Sequence, residues 1–295
     1  MSRQAFGGDW TEARLEVVRK YLRPYVSIMR GNPKARNFRI TYVDGFAGSG
    51  KRYAKERASA SLFPEIDRDD REYRLGSPYL AVQSEPGFDT YIFIEPNETY
   101  ADQLEEVRVD HPEKADRIAI IREDANQFLP RWCQGLSRSD RAMVFLDPYG
   151  MEVNWSTLQA LAKTQKVDVW ILIPIGQAVL RLLTDKTPTG PWANALTRFF
   201  GTEDWKQYFY RSAPDQNLFG DDVEPVRDAS FAKATEYMVS RLKSIFAGVL
   251  EAPVVLRNKN GTPLFLLCFA ASNPIGAPTA VKIARDIAKG FKDGR

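Results

Sequence analysis

The chain is poor in the residues whose chemistry is easiest to read from sequence. Among 295 residues it has one histidine, His111, and two cysteines, Cys133 and Cys268. Cysteines that far apart make neither a disulfide framework nor a metal-ligand spacing, which fits a reducing compartment, and both are expected in buried, near-apolar surroundings. A metal site or a Ser-His-Asp triad would have to rest on His111 alone, and its setting, Val-Asp-His-Pro-Glu, reads as a solvated helix end or turn. No metal is expected. No apolar run approaches the ~18 residues of a membrane span, and the first ten residues lack the long apolar region that export requires. The expectation is therefore a cytoplasmic protein with no membrane partner. Internal repeats and low-complexity tracts are also lacking.

With 44% hydrophobic residues the chain can build one large α/β domain spanning residues 1–295. The net charge is only +3, yet residues 1–40 hold nine Lys/Arg against Asp9, Glu12 and Glu16. That asymmetry marks a basic N-terminal helix, residues 1–36, as a possible phosphate-facing surface, with Arg14, Arg19, Lys20 and Arg23 as candidate nucleic-acid contacts. A solvated helix face would look the same.

The helix is expected from about Trp10 to Met29, capped by Asp9 with Glu12 reaching back. Leu15, Val18, Leu22, Tyr25 and Met29 make its apolar stripe, Pro24 bends it and Gly31-Asn32-Pro33 ends it. A first strand follows at Phe38–Asp44. Residues 51–75, rich in charge, read as an inserted lid, because loops of this length are uncommon in compact domains and are usually functional. A helix opens near Ser77-Pro78. Apolar runs at 90–95, 117–122, 143–147 and 167–174 alternate with helical segments at 97–109, 125–134 and 155–164. This rhythm implies parallel pairing with right-handed crossovers, in a doubly wound sheet covered on both faces. Residues 176–250 read as a helical insertion with a loop at Pro214–Asp222. Two last strands, 253–257 and 264–270, are joined through Asn258-Lys-Asn-Gly261, a hairpin signal that makes them antiparallel.

The chemistry collects at strand ends. Asp44-Gly45-Phe46-Ala47-Gly48-Ser49-Gly50 closes the first strand on a carboxylate and a glycine turn that lets backbone approach a nucleotide-type cofactor. Such a turn alone is weak evidence. Glu95 then ends the second strand, where an acid accepts hydrogen bonds from ribose hydroxyls. Asp124 follows the third, where its carboxylate or the neighbouring amides, Ala125 included, can meet an adenine edge. Asp147-Pro148-Tyr149 ends the fourth. There the Asp147 carboxylate or the Pro148 carbonyl would take a hydrogen bond from an acceptor amino group while Tyr149 stacks on a planar substrate. Together these point to methyl transfer. A strand-ending Asx turn would explain the last motif without function.

A competing reading is a phosphate-binding loop at Gly45–Lys51 with Asp147 on magnesium. Arg52 stands where that loop needs Ser or Thr, and Asp44 and Glu95 have no part in it. Trp155, Trp170, Trp192 and Trp205 are more simply core residues than stacking platforms, and Arg181 is a candidate substrate contact on the insertion.

Six blocks carry a family likeness: Lys20-Tyr-Leu-Arg-Pro-Tyr25, Tyr42–Tyr53, Gly76-Ser-Pro78, Phe93-Ile-Glu95, Val144–Gly150 and Val167–Pro174. The chain resembles the three-Cys-motif partner proteins through about residue 205, and faintly over 206–250. The resemblance implies a class I, Rossmann-like methyltransferase fold, with a mostly parallel seven-stranded sheet and an antiparallel C-terminal strand. It also implies S-adenosylmethionine as cofactor and a partner bearing a three-cysteine, iron–sulfur or radical-type motif. The glycine block is similar to that of RNA and DNA amino-methyltransferases, and Phe145-Leu-Asp-Pro-Tyr to their Asp-Pro-Pro-Tyr signature. By that likeness Asp44 through Gly50 bind cofactor, and Asp147 and Pro148 recognise the amino group. Tyr149 replaces the second proline and Gly150 the usual aromatic, which weakens base stacking by this motif. A non-catalytic subunit that retains the pocket remains an alternative.

Overall fold

The computed structural model describes residues 9–50, 76–211 and 226–292, with side chains from residue 13 and, in the last segment, as far as residue 291. The expected lid at 51–75, the loop at 214–222 and the Asp9–Glu12 cap lie outside what is described.

Helix α1 (Asp9–Gly31) runs through Pro24. It buries Leu15, Val17, Val18, Tyr21, Leu22, Tyr25 and Val26, a wider stripe than the five expected residues. Then come β1 (Arg39–Asp44), α2 (Ser77–Gln83), β2 (Thr90–Ile94), α3 (Glu98–Asp110), β3 (Ile118–Ile121) and α4 (Ala125–Gln134). The alternation continues with β4 (Asp140–Leu146), α5 (Trp155–Lys163) and β5 (Val167–Ile173). A single π turn, Ile175–Val179, leads into the helical segment, with α6 (Gly190–Phe200) and α7 (Trp205–Phe209). A small ladder pairs β6 (Tyr210–Arg211) with β7 (Val226–Arg227) before α8 (Phe231–Lys243). The chain closes with β8 (Gly248–Val249), β9 (Val254–Arg257), β10 (Pro263–Ala271) and α9 (Ala277–Lys292).

Among the described residues the main sheet has eight strands in the order β3-β2-β1-β4-β5-β10-β8, with β9 also paired to β10. Strands β1 to β5 are parallel, and β10 runs antiparallel to β5, β8 and β9. The fold is therefore the expected doubly wound, mostly parallel, Rossmann-like α/β arrangement with an antiparallel C-terminal strand. The expected strand count of seven is corrected to eight. The extra strand, β8, is two residues long, too short to carry a period-two pattern.

Alternation along the strands divides the core between the two faces. Val43, Val144, Val169 and Ile171 join α4, α5, α6 and α8 on one side. Tyr42, Met143, Phe145, Trp170 and Leu172 join α1 and α9 on the other. With both faces covered, the strands are apolar almost throughout, as parallel strands must be. Tyr21 Oη donates to Asp168 Oδ2 at 2.9 Å, fastening α1 to β5. Gly201 closes α6 at φ 73°, and a Cβ there would stand 1.9 Å from the Trp155 ring. Cys268 is buried as expected, whereas Cys133 is half-buried, a correction set by its place near the end of α4.

Candidate functional site

The strand order reverses direction at β1, which lies between β2 and β4. In open α/β sheets this switch point, outside the carboxyl ends of the strands, is where ligands bind. The register brings the acids there. Asp44 stands beside Phe93 of β2 and Phe145 of β4, so Glu95 and Asp147 each lie two residues beyond the neighbours of Asp44. The glycine turn crosses the same edge: Gly45 N donates to Phe145 O at 2.9 Å and Ala47 N to Ile94 O at 3.0 Å. Glu95 N in turn donates to Ile121 O of β3 at 2.9 Å.

Several of these residues also build the turn. Asp44 is fully buried and its Oδ1 accepts from Phe46 N at 3.2 Å. Glu95 Oε1 accepts from Asn97 N at 2.8 Å, opening α3. Asp124 caps α4 by accepting from Asn126 N at 2.8 Å, which leaves Ala125 buried in the first turn. Gly48 and Gly50 take φ values of 60° and 69°, a backbone that L side chains rarely adopt. Gly45 is required for a different reason, because a Cβ there would lie 2.5 Å from Leu146 Cδ2. Buried carboxylates also surround Tyr42 Oη: burial pushes its phenol well above the ordinary range, with Asp44 and Asp147 adding to the rise.

One expectation is overturned. Arg14 is not an exposed phosphate contact: it is 2% exposed, and its Nη1 lies 3.1 Å from Asp147 Oδ1. Its position on α1 turns it inward over the glycine turn, where a lone buried carboxylate would be costly. The neighbouring candidates do face solvent. Arg19 and Lys20 are exposed and share Glu16, at 2.6 and 3.6 Å, and Arg23 is exposed one turn further on. The Asp147 carboxylate is thus already engaged. Pro148 is buried, and Tyr149 is half-buried, its N donating to Glu152 Oε2 at 3.1 Å. The small cavity between Arg14, Leu15, Phe46, Ala47, Gly76, Ser77 and Asp147 has about 10 Å³, space for about one water.

Asn126 is a site residue that the sequence reading missed. Its Oδ1 accepts from Asn154 N and Thr157 Oγ1, both at 2.8 Å, and its Nδ2 donates to Glu152 O at 2.9 Å. It therefore ties the start of α4 to the loop that follows Asp147. Its place two residues after Asp124 was the available signal, but an amide there reads as ordinary helix. Among the described residues no group of three or more His, Cys, Asp or Glu is placed to hold a metal ion. His111 follows α3, its Nδ1 3.6 Å from Glu113 Oε1. No helix among them is long and apolar enough to cross a membrane.

No protein-family model matches the chain, and no curated protein matches it. Among solved structures, protein LPL1258 from Legionella pneumophila, of the family DUF519, is similar over 97% of this chain and 94% of its own, at 12% identity and a TM-score of 0.51. That likeness concerns the fold. Two further structures are more distant. One is yhhF from Escherichia coli, provisionally described as a methyltransferase, at 16% identity over 59% of this chain and 73% of its own, with a TM-score of 0.31. The other is YcgJ from Bacillus subtilis, at 10% identity over 88% and 96%, with a TM-score of 0.29. At those scores neither carries a functional argument.

Proposed function

We propose that this chain transfers a methyl group from S-adenosylmethionine to a nitrogen of a nucleic-acid base, working with a three-cysteine-motif partner protein. The observation that carries the reading is the set of acids Asp44, Glu95 and Asp147 around a positive-φ glycine turn at the switch point of the sheet. The donor set fits the cofactor. Gly48 and Gly50 would let the backbone approach it, Glu95 would accept from its ribose hydroxyls, and Asp124 or the neighbouring Ala125 amide would meet its adenine edge. When bound, S-adenosylmethionine supplies an electrophilic methyl group on a sulfonium.

The chain's own part is positioning. Asp147 and the Pro148 carbonyl orient the acceptor amine, so that its lone pair faces the methyl group and its proton has an oxygen to point at. Arg14 sets the carboxylate of Asp147 and must yield part of it when the amine arrives. A second reading is favoured by that same ion pair and the water-sized cavity beside it: a subunit that keeps the fold but serves its partner without catalysis.

The test is methyl transfer to nucleic acid with and without the partner. Asp147→Ala is expected to lower transfer by ~10²–10³-fold, as for loss of one positioned polar group, while S-adenosylhomocysteine affinity stays within a few fold. Unchanged transfer in Asp147→Ala would remove the assigned role. Cofactor binding without transfer under either condition would favour the non-catalytic subunit.

A further inference from the structure

The charge asymmetry of the sequence points to a phosphate-facing surface on α1. The structure sets a second basic helix against it. Helices α1 and α9 pack together on the same face of the sheet and share one core, which includes Leu15, Val18 and Leu22 of the first and Ala277, Val281, Ala284 and Ala288 of the second. They are joined near the end of α9 as well, where Lys20 Nζ sits 4.8 Å from the Phe291 ring centroid. The far end of α9 is thereby fixed beside Lys20 of α1. Lys20 lies six residues along α1 from Arg14, about 9 Å at 1.5 Å per residue. That is two to three nucleotides of a strand at ~3.4 Å each.

On the outward faces the charge is largely of one sign. Arg19, Lys20 and Arg23 of α1 are exposed, as are Lys282, Arg285 and Lys289 of α9. Among the described side chains of these two helices, the acids are Glu16 and Asp286. Each is engaged on its own helix, Glu16 with Arg19 and Lys20, and Asp286 with Lys282 at 3.9 Å. Glu251, which Arg285 also influences, is held by Lys243 at 2.6 Å. Six cations against two acids on two packed helices, with Lys20 about 9 Å along α1 from Arg14 at the candidate base-binding site, match the charge of a polyanion.

We infer that α9 is a second nucleic-acid-binding element, and that Arg285 and Lys289 hold the phosphate backbone flanking the base presented to Asp147. The inference rests on the nucleic-acid reading of the site and names its docking surface. Contacts of this kind position the strand and carry no sequence information.

The experiment measures fluorescence anisotropy of a short single-stranded RNA and of a DNA duplex over a range of salt concentrations. The proteins are the wild type, Arg285→Glu/Lys289→Glu, and Lys163→Glu as a control on the opposite face. The double variant is expected to bind roughly tenfold or more weakly, with the slope of log K on log salt reduced by about two, and the control should match wild type. The preferred probe identifies the acceptor as RNA or DNA. Wild type binding neither probe, or the double variant matching the control in affinity and slope, overturns the inference. Arg285→Gln/Lys289→Gln reports the same loss should charge reversal unfold the helix. Calorimetry with S-adenosylhomocysteine separates the two claims: a cofactor that binds wild type and both variants alike leaves the track to be judged on anisotropy, whereas one that binds none of them removes the methyltransferase reading.

Discussion

Arg14 Nη1 stands 3.1 Å from Asp147 Oδ1, and both side chains are nearly excluded from solvent, joining the first helix to the end of β4. Breaking a buried pair from one side strands the other charge, which costs about 3–5 kcal/mol. Arg14→Ala is therefore expected to destabilise the chain by an amount in that range in urea unfolding. The double variant Arg14→Met/Asp147→Asn should cost less than the sum of the two single changes. Additive losses would show that the two groups do not act as a pair.

Asp168 accepts from Tyr21 Oη at the inner face of α1, and burial raises its carboxyl to about 7. A raised acid pKa means that the folded chain keeps the proton after the unfolded chain has lost it. Stability from this group is thus present below about pH 4 and is lost as pH rises to about 7, by roughly 4 kcal/mol at most. Asp168→Asn keeps an acceptor for Tyr21 and removes the titration. It should be more stable than wild type at pH 8 and no more stable at pH 4, as read from denaturation midpoints. Parallel pH profiles for the two proteins would contradict the assignment.

A Cβ at Gly201 would enter the Trp155 ring, at 1.9 Å, from a residue already at φ 73°. Gly201→Ala combines overpacking with left-handed strain, each worth about 1–3 kcal/mol. A thermal scan should show a clear drop in Tm. Gly150→Ala, at a position with nothing within 4 Å, should leave Tm nearly unchanged.

Burial pushes both thiols up to about 12, although Lys166 partly opposes the rise at Cys133. Because the thiolate is the reactive form, neither cysteine should react appreciably with a disulfide reagent at neutral pH in the folded chain. Both should react once denaturant is added. Fast labelling of native Cys133 would contradict its described setting.

The alternating strands and helices from residue 90 to residue 173 were legible because each strand is a nearly pure apolar run and each helix opens at a recognisable cap, Asn97 or Asp124 among them. The Asn258–Gly261 hairpin was legible for the same local reason. Helix α9 was missed although its pattern is helical: Val281, Ala284 and Ala288 are buried, and Ile287 and Phe291 are partly buried beside them, at three- and four-residue steps. At the site, acids at strand ends could be read as a set. The inward turn of Arg14 could not, because its sequence neighbours Arg19 and Lys20 carry the same charge and face water. Likewise, whether Asp44 and Asp124 serve a ligand or their own turns depends on backbone amides, Phe46 N and Asn126 N, that leave no trace in residue type.

On the proposed function the glycine turn and its acids form an adenosyl-cofactor pocket. Isothermal titration of wild type and Asp44→Ala with S-adenosylhomocysteine, and in parallel with ATP–Mg²⁺, tests it directly. Such a pocket binds S-adenosylhomocysteine in wild type, loses that binding in the variant and does not take ATP–Mg²⁺. Binding of ATP–Mg²⁺ alone, or of neither ligand, would contradict it.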